Sequence, residues 1–355
     1  MTRTDRTIGI LAVLFMLALI SVFGYFVYIS GGIEEIFLIG QDDEEKGFRR
    51  IEFAYDVSDY DRALYLSSDF LAEYPDSVFV PRVYIISAEI LFNRGDYEGA
   101  RRQAIRVLSR RDSNADDFAD SAIILGKIMK ETSQYDRAGI SFLENAFLKA
   151  DASRQAKLAV YLGYYYLLRN DYRYALNYFN QATGEYSLIG RADIYILQNK
   201  TSEAIQEFLN YFSLYPRGEN IETVKTNFFA QSFKHAQRLE SQSMDGAAIE
   251  YYLNIVNNFR NTDDADLALY NIAEIYYKNK NYDSAILFLK RVLSHRSRFA
   301  NDKALFRLGV IYYETDKKID ALRELRRLVN EYPDSLLRNQ AQEWIDVIST
   351  ELLYS

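Results

Sequence analysis

The chain has 355 residues and a formal net charge of −8, and 26% of its residues are charged. It contains no cysteine, which excludes disulfides, thiolate metal sites and a cysteine nucleophile. The mixed, slightly acidic charge disfavours a nucleic-acid-binding protein, because such proteins present a basic face. Tyrosine (30) and phenylalanine (22) are abundant while proline (4) is scarce, which is typical of closely packed helices with few irregular loops.

The first predicted element is an apolar segment near the N-terminus. Residues 8–29 form a run of 22 residues without a charge, and Arg3 and Arg6 precede it. At about 1.5 Å per residue such a helix extends roughly 33 Å, enough to cross a bilayer core of about 30 Å. A cleaved signal peptide is the alternative, but its apolar region is usually about 7–15 residues long, and no good cleavage site follows promptly. We therefore predict a transmembrane helix at residues 8–30.

The charges around this segment predict its orientation. Basic residues precede it, and an acidic linker at residues 31–46 follows it. The positive-inside rule places residues 1–7 in the cytoplasm and the rest of the chain across the membrane. The sequence thus predicts a single-pass inner-membrane protein whose C-terminal part lies in the periplasm. The four acids at residues 42–45 could also hold a cation, but no ligand loop with a turn glycine surrounds them.

From residue 47 onward, small residues recur in pairs. One series consists of alanines spaced 29 to 44 residues apart: Ala63, Ala100, Ala138, Ala175, Ala204, Ala248, Ala285 and Ala321. A second small residue usually lies twelve positions earlier, as at Gly126, Gly163, Ala273 and Gly309, whereas the first repeat has Ile51 there. Small residues allow two antiparallel helices to pack closely where they cross. The pattern predicts eight helical hairpins with these residues at the crossings, Gly309 facing Ala321 in the last.

The last hairpin carries the fullest form of a known pattern. The residues concerned are Leu305, Leu308, Gly309, Tyr312, Ala321, Leu325 and Pro333. Their order resembles the tetratricopeptide (TPR) repeat, with leucines in place of the usual Trp and Phe. The resemblance extends over nearly all of the part that follows the linker. It implies an all-α, right-handed superhelix of about eight helical hairpins, whose groove is lined by the first helix of each hairpin and binds proteins or peptides.

Irregular spacing predicts a subdivision of the array. The interval between Ala175 and Ala204 is short and the next one is long, which is expected to bend or offset the superhelix. We therefore predict two sub-arrays, at residues 47–216 and 217–333. Residues 334–355 carry apolar side chains along one helical face, and we predict a C-terminal capping helix there, in which Trp344 packs.

Sequence motifs for catalysis or cofactor binding are absent. The chain has no phosphate-binding loop, dinucleotide fingerprint or nucleophile elbow. Its two histidines, His235 and His295, lie in different repeats and match no zinc-binding pattern. We therefore predict no catalytic, cofactor-binding or metal-binding residues, and no cofactor.

The TPR resemblance assigns candidate partner-binding residues to the groove. They are Tyr164, Tyr270, Glu274, Tyr277, Phe306, Val310 and Tyr313. Chaperone-binding TPR proteins carry a basic residue and an asparagine at the positions of Phe306 and Val310, and no repeat of this chain has that pair. The aromatic lining suits an apolar or extended peptide. The alternative is that these side chains pack between hairpins.

These observations predict a membrane-anchored, non-enzymatic scaffold or adaptor that binds protein partners in the periplasm. Two Tyr-Pro-Asp-Ser turns, at residues 74–77 and 332–335, resemble those of TPR proteins of envelope biogenesis. Assembly of a large envelope machine, such as a structural role in the collar of a periplasmic flagellar motor, is a second candidate of the same class. The candidate from another class is a cell-wall glycan hydrolase that uses a carboxylate pair in the groove.

Overall fold

The computed structural model describes residues 43–295 and 297–354. The predicted cytoplasmic tail, the transmembrane helix at residues 8–30 and most of the acidic linker lie outside the described residues. Within the described part, no helix is both long and apolar enough to cross a membrane.

The described residues form seventeen α-helices and no strand, which confirms the all-α prediction. In chain order they are α1 (Asp43–Asp56), α2 (Tyr60–Glu73), α3 (Val80–Asn93), α4 (Tyr97–Leu108), α5 (Ala115–Thr132), α6 (Arg137–Lys149), α7 (Ala152–Leu168), α8 (Tyr172–Gln181), α9 (Glu185–Leu197), α10 (Thr201–Leu214), α11 (Ile221–Ser241), α12 (Asp245–Asn258), α13 (Asp263–Lys278), α14 (Tyr282–Ser294), α15 (Asn301–Glu314), α16 (Lys318–Glu331) and α17 (Arg338–Tyr354).

The helices belong to two compact units, residues up to Ser187 and residues from Leu188 onward. In the first unit α1 packs on α2, α3 on α4, α5 on α6 and α7 on α8; in the second α11 packs on α12, α13 on α14 and α15 on α16. First helices of successive hairpins also contact each other, as α3 does with α5 and α13 with α15. The predicted sub-arrays have their boundary elsewhere, between residues 216 and 217 in the turn before α11. That boundary and the handedness of the superhelix stay predictions.

Most second helices begin at an Asx residue. The side chains of Asp59, Asp96, Asp136, Asp171 and Asn281 each accept a hydrogen bond from the backbone N–H three residues later. Such N-caps satisfy a donor that has no partner within the helix. In four of these cases the residue after the N-cap, the first of the helix, is a tyrosine. The sequence signal for these turns is therefore Asx-Tyr, at Asp59, Asp96, Asp171 and Asn281.

The turn inside every hairpin contains one residue in the left-handed conformation. These residues are Ser58, Gly95, Ser133, Asn170, Asn199, Ser243, Lys280 and Asp316. Only one of them is glycine, although a left-handed conformation costs other L-residues about 1–2 kcal/mol. The two helices of every hairpin are thus joined by a turn with one left-handed residue, whichever side chain that residue carries.

In the third hairpin the prediction that Ala138 lies at the helix crossing is wrong, because Ala138 is exposed. In seven hairpins the N-cap residue follows the left-handed residue directly, but Asp136 follows Ser133 by three positions. Helix α6 therefore begins two residues later, and the buried Ile140 occupies the position that alanine has elsewhere. The other seven alanines of the series and Ala273 are fully buried, with no measurable exposure.

Glycines at the crossings contact large side chains. A Cβ atom on Gly309 would lie 2.6 Å from Cγ of Leu325, and one on Gly163 would lie 2.8 Å from the Phe179 ring. A Cβ atom on Gly126 would lie 2.5 Å from the Tyr161 ring. The neighbours of Gly309 and Gly163 lie four residues after the recurring alanine, so Gly309 faces Leu325 most closely and not Ala321.

Helix α17 covers the end of the second unit. Ala341, Ile345 and Ile348 are buried and belong to one cluster with Leu325 and Leu328 of α16. Trp344 is half-buried, and its ring lies 5.0 Å from that of Tyr313. The remaining surface of α17 is mostly polar, as a helix at the end of a repeat array requires.

Candidate partner-binding face

In each unit the first helices of successive hairpins present side chains at equivalent positions. We call first-helix face the surface formed by the side chains three and six positions before the left-handed turn residue. Most of these side chains are aromatic or charged. The first unit contributes Glu52, Tyr55, Glu89, Phe92, Lys127, Lys130, Tyr164 and Leu167, and the second contributes Asp193, Ile196, Gln237, Glu240, Glu274, Tyr277, Val310 and Tyr313.

In the second unit an arginine organises this face. The Arg307 guanidinium donates two hydrogen bonds to Glu274, at 2.6 and 2.8 Å, and lies 4.3 Å from the centre of the Tyr277 ring. A bidentate arginine–carboxylate pair has a fixed geometry. Burial, together with the nearby Glu274, raises the pKa of Tyr270 to about 12, so its hydroxyl stays protonated at neutral pH. The predicted groove residues Tyr270, Glu274 and Tyr277 are therefore held together by Arg307.

Tyrosine hydroxyls link one hairpin to the next along the first-helix face. Tyr277 donates to Glu314 at 2.8 Å. Tyr313 likewise donates to Glu351 of α17 at 2.8 Å, and Tyr55 donates to Glu89 at 2.9 Å in the first unit. Each bond connects side chains more than thirty residues apart, and the carboxylate partners could not be assigned from the repeat pattern. These bonds fix the tyrosine rings before any partner binds.

The predicted groove residues are less accessible than a free binding patch would be. Val310 is buried, and Phe306 packs into the cluster that contains Leu305 and Leu325. The aromatic residues among them are all half-buried. The same side chains thus pack between hairpins and keep part of their surface accessible.

Tyr164 lies in a separate aromatic group in the first unit. Its ring contacts Phe179 edge to face, with centroids 5.1 Å apart. The Lys130 ammonium lies 5.7 Å from the centre of the Tyr164 ring and 4.3 Å from that of Tyr186. The predicted residue Tyr164 therefore belongs to a local group of the first unit, whereas the other six predicted groove residues lie in the second unit.

A small cavity opens on the first-helix face of the first unit. Its volume is about 110 Å³, and side chains of α1, α3 and α5 line it. The lining residues are Tyr55, Glu89, Phe92, Asn93, Ile124 and Lys127. Four of them belong to the first-helix face, so the cavity is part of that surface.

The two histidines have different polar partners. The Nδ1 atom of His235 lies 2.9 Å from an Arg238 nitrogen, which can only donate, so Nδ1 accepts and Nε2 carries the proton. Burial and Arg238 lower the pKa of His235, which keeps the ring neutral. Nε2 lies 3.4 Å from the Ser202 hydroxyl, and in this tautomer it cannot take the hydroxyl proton. His295 contacts the buried carboxylate of Asp266 at 2.7 Å.

One carboxylate on the first-helix face has a strongly perturbed pKa. Burial alone raises the pKa of Asp193 to about 6, and no neighbouring charge contributes. A glycan hydrolase needs two carboxyl groups on opposite sides of the scissile bond. Asp193 has the raised pKa expected of the acid in such a pair. Across the described part of the chain, no group of three or more His, Asp or Glu side chains could hold a metal ion.

Comparison with known proteins identifies the repeats. The tetratricopeptide repeat family model matches residues 267–296 and 303–335, which span most of α13 and α15 and all of α14 and α16. No curated protein sequence matches the chain.

Solved structures with similar helical repeats come from several organisms. A TPR protein from Parabacteroides merdae is 13% identical, with a TM-score of 0.42 over 71% of this chain and 93% of its own. The C-terminal part of a TPR repeat-containing protein from Cytophaga hutchinsonii is 16% identical, with a TM-score of 0.43 over 83% and 98%. A thermophilic TPR protein of Thermus thermophilus is 17% identical, with a TM-score of 0.35 over 53% and 98%.

Proposed function

Because the chain belongs to the tetratricopeptide repeat family, we propose that it is a non-enzymatic scaffold that binds protein partners on its first-helix face. Side chains that could make close contacts with a partner recur there at equivalent positions of successive hairpins. Tyrosine, which is enriched among the residues that dominate binding energy, is prominent among them, and Arg307 packs against the ring of Tyr277.

The observation that carries this proposal is the ordering of the face by side-chain bonds between hairpins. Tyr277 and Tyr313 are held by Glu314 and Glu351, and Arg307 is held by Glu274. A surface that is ordered before binding loses little conformational entropy when a partner binds. The rings still keep part of their surface accessible, since they are only half-buried.

Site-specific crosslinking in cells tests the face. A photoreactive phenylalanine analogue in place of Lys278, which is exposed on α13, should crosslink to a discrete set of partner proteins. The same analogue in place of Leu287, an exposed residue of α14, serves as the matched control on a second helix. If partners are captured equally from both positions, or only from position 287, the binding surface does not lie on the first helices.

We further propose that the scaffold is anchored in the inner membrane by residues 8–30 and faces the periplasm. The support is the uncharged 22-residue run with basic residues before it and an acidic linker after it. Protease added to spheroplasts should digest the repeat array, and the undigested protein should fractionate with membranes. Protection of the array from the protease would reverse the proposed orientation. A role in envelope biogenesis, or in assembling a large envelope machine, fits this location.

A further inference from the structure

The cavity on the first unit holds two opposite charges that do not meet. Glu89 lies on α3 and Lys127 on the neighbouring first helix α5, and both line the cavity. One oxygen of Glu89, Oε2, accepts a hydrogen bond from the Tyr55 hydroxyl at 2.9 Å. The Lys127 ammonium lies 5.9 Å from the centre of the Phe92 ring. Among residues 43–295 and 297–354, no ion pair of either Glu89 or Lys127 is found.

Half-buried charges without a counter-ion are unusual, because removing a charge from water is costly unless it is paired or hydrogen-bonded. Glu89 and Lys127 form no ion pair with each other, although both line the cavity from neighbouring helices. Its polar walls are therefore suited to an occupant that bonds to both groups at once.

The two charges restrict the chemistry of that occupant. A carboxylate would face the like charge of Glu89, and an ammonium would face the like charge of Lys127. A neutral carboxamide satisfies both, because its NH₂ group donates to Glu89 while its oxygen accepts from Lys127. Its planar group can also lie against the Phe92 ring. A volume of about 110 Å³ leaves room for a carboxamide with its adjoining carbon, a group of four heavy atoms.

We propose that this cavity binds a carboxamide group of a protein partner, presented by a glutamine or asparagine side chain. The inference rests on the proposed scaffold function and adds a specificity site in the first unit, distinct from the predicted groove in the second. Glu89 and Lys127 select against charged side chains, and Tyr55 positions Glu89. A backbone amide has the same chemistry, so the test must separate side-chain from backbone binding.

The test uses the full-length chain with ¹³C-labelled isoleucine δ1 methyl groups, because Ile124 lines the cavity. Ile124→Val assigns its methyl resonance. The probes are four capped peptides, acetyl-Gly-Gly-X-Gly-Gly-N-methylamide, with Gln, Glu, Lys or Gly as X, so that only the Gln side chain carries a primary carboxamide. The Gln peptide should shift the Ile124 resonance and bind about tenfold or more tightly than the Glu and Lys peptides, which corresponds to about 1.4 kcal/mol. The Gly peptide should bind more weakly than the Gln peptide.

Two variants should reverse the selectivity in opposite directions. Glu89→Gln leaves the ammonium, so the Glu peptide should become the best ligand. Lys127→Met leaves the carboxylate, so the Lys peptide should become the best ligand. Glu98→Gln and Lys157→Met, the same substitutions at exposed positions of the same unit, should keep the preference for the Gln peptide.

Several outcomes would overturn the proposal. No shift of the Ile124 resonance with any peptide would show that the cavity takes no such ligand. Equal binding of the Gln and Gly peptides would assign binding to the backbone, and unchanged preferences in both variants would remove the two charges from recognition. Partner capture at position 278 does not depend on these results, so this inference can fail while the proposed function stands.

Discussion

Gly309 and Leu325 meet so closely that a single added methyl group would lie 2.6 Å from a side-chain carbon. Leu325 is fully buried, so it cannot swing into solvent to make room. We expect Gly309→Ala to destabilise the second unit by about 1–3 kcal/mol through overpacking, and Gly309→Leu to cost more. Urea unfolding of the purified chain measures the change.

Gly246 provides a matched control for that substitution. It lies in the first turn of α12, no atom comes within 4 Å of the site of a Cβ, and its φ is not positive. Gly246→Ala should therefore leave stability unchanged or raise it by about 0.4–1 kcal/mol. In a repeat array, damage spreads mainly to adjoining hairpins, so hydrogen exchange in Gly309→Ala should rise around α15 and α16 and change little around α1 and α2. Uniform loss of protection would argue against the repeat architecture.

Substitutions at two of the left-handed turn residues should change stability in opposite directions. Lys280 has a φ of 57°, which glycine adopts without strain, so Lys280→Gly should stabilise the seventh hairpin by about 1 kcal/mol. Gly95 has a φ of 79°, and Gly95→Ala should destabilise the second hairpin by a similar amount although no atom lies near the added methyl group. Thermal unfolding of both variants checks the signs. Two changes of the same sign would show that side-chain contacts, and not backbone conformation, control these turns.

The tyrosine bonds between hairpins can be separated from tyrosine packing. Tyr277→Phe and Tyr313→Phe keep the rings and remove the hydroxyls that donate to Glu314 and Glu351. Each should cost about 1 kcal/mol. Truncation of either residue to alanine should cost about 2–4 kcal/mol, because a half-buried ring that packs between hairpins is lost. Equal effects of the Phe and Ala variants in denaturant unfolding would mean that the rings contribute little to packing.

Asp193 should give the unfolding free energy a measurable pH dependence. Its folded pKa of about 6 lies above the unfolded value of about 3.9, so the folded state binds the proton more tightly. The charged form therefore costs stability, fully above about pH 6 and not at all below about pH 4. Asp193→Asn should raise the unfolding free energy by about 1–2 kcal/mol at pH 7.5, after allowance for partial solvent access, and have no such effect at pH 4.

The control for Asp193 is Glu250→Gln, which removes an exposed acidic charge from the same unit. Urea unfolding at pH 4, 6 and 7.5 should show a pH-dependent gain for Asp193→Asn and none for the control. A gain for Asp193→Asn that is the same at all three pH values would contradict the proposed cause.

Much of the fold could be predicted from the sequence because small residues recur at the helix crossings with the spacing of the repeat. Alanine and glycine at the crossings, such as Ala285 and Gly309, mark where two helices touch, and the structure has eight hairpins and a terminal helix in its described residues. The failure at Ala138 has a local cause. A turn can lengthen without changing composition, and only the position of the Asp136 N-cap shows that α6 begins later.

The face that carries the proposed function could be predicted only in part. The repeat pattern indicates which positions belong to it, including Tyr277 and Tyr313. It does not indicate that their hydroxyls bond to Glu314 and Glu351, since those acids lie more than thirty residues further along the chain, on α15 and α17. The perturbed Asp193 and the separated charges of Glu89 and Lys127 depend on three-dimensional surroundings, and composition gives no sign of them.

The turn between α5 and α6 has a practical consequence for labelling. Gly126 and Ile140 keep their buried places although the path between Ser133 and Asp136 is two residues longer than its counterparts. The chain itself therefore shows that this connection accepts additional residues, and Ser133 and Gln134 are both exposed there. Since the sequence has no cysteine, one cysteine introduced between these two residues would be the single thiol of the protein. A fluorophore attached there would report on the scaffold from a site remote in sequence from Lys278 and the predicted groove.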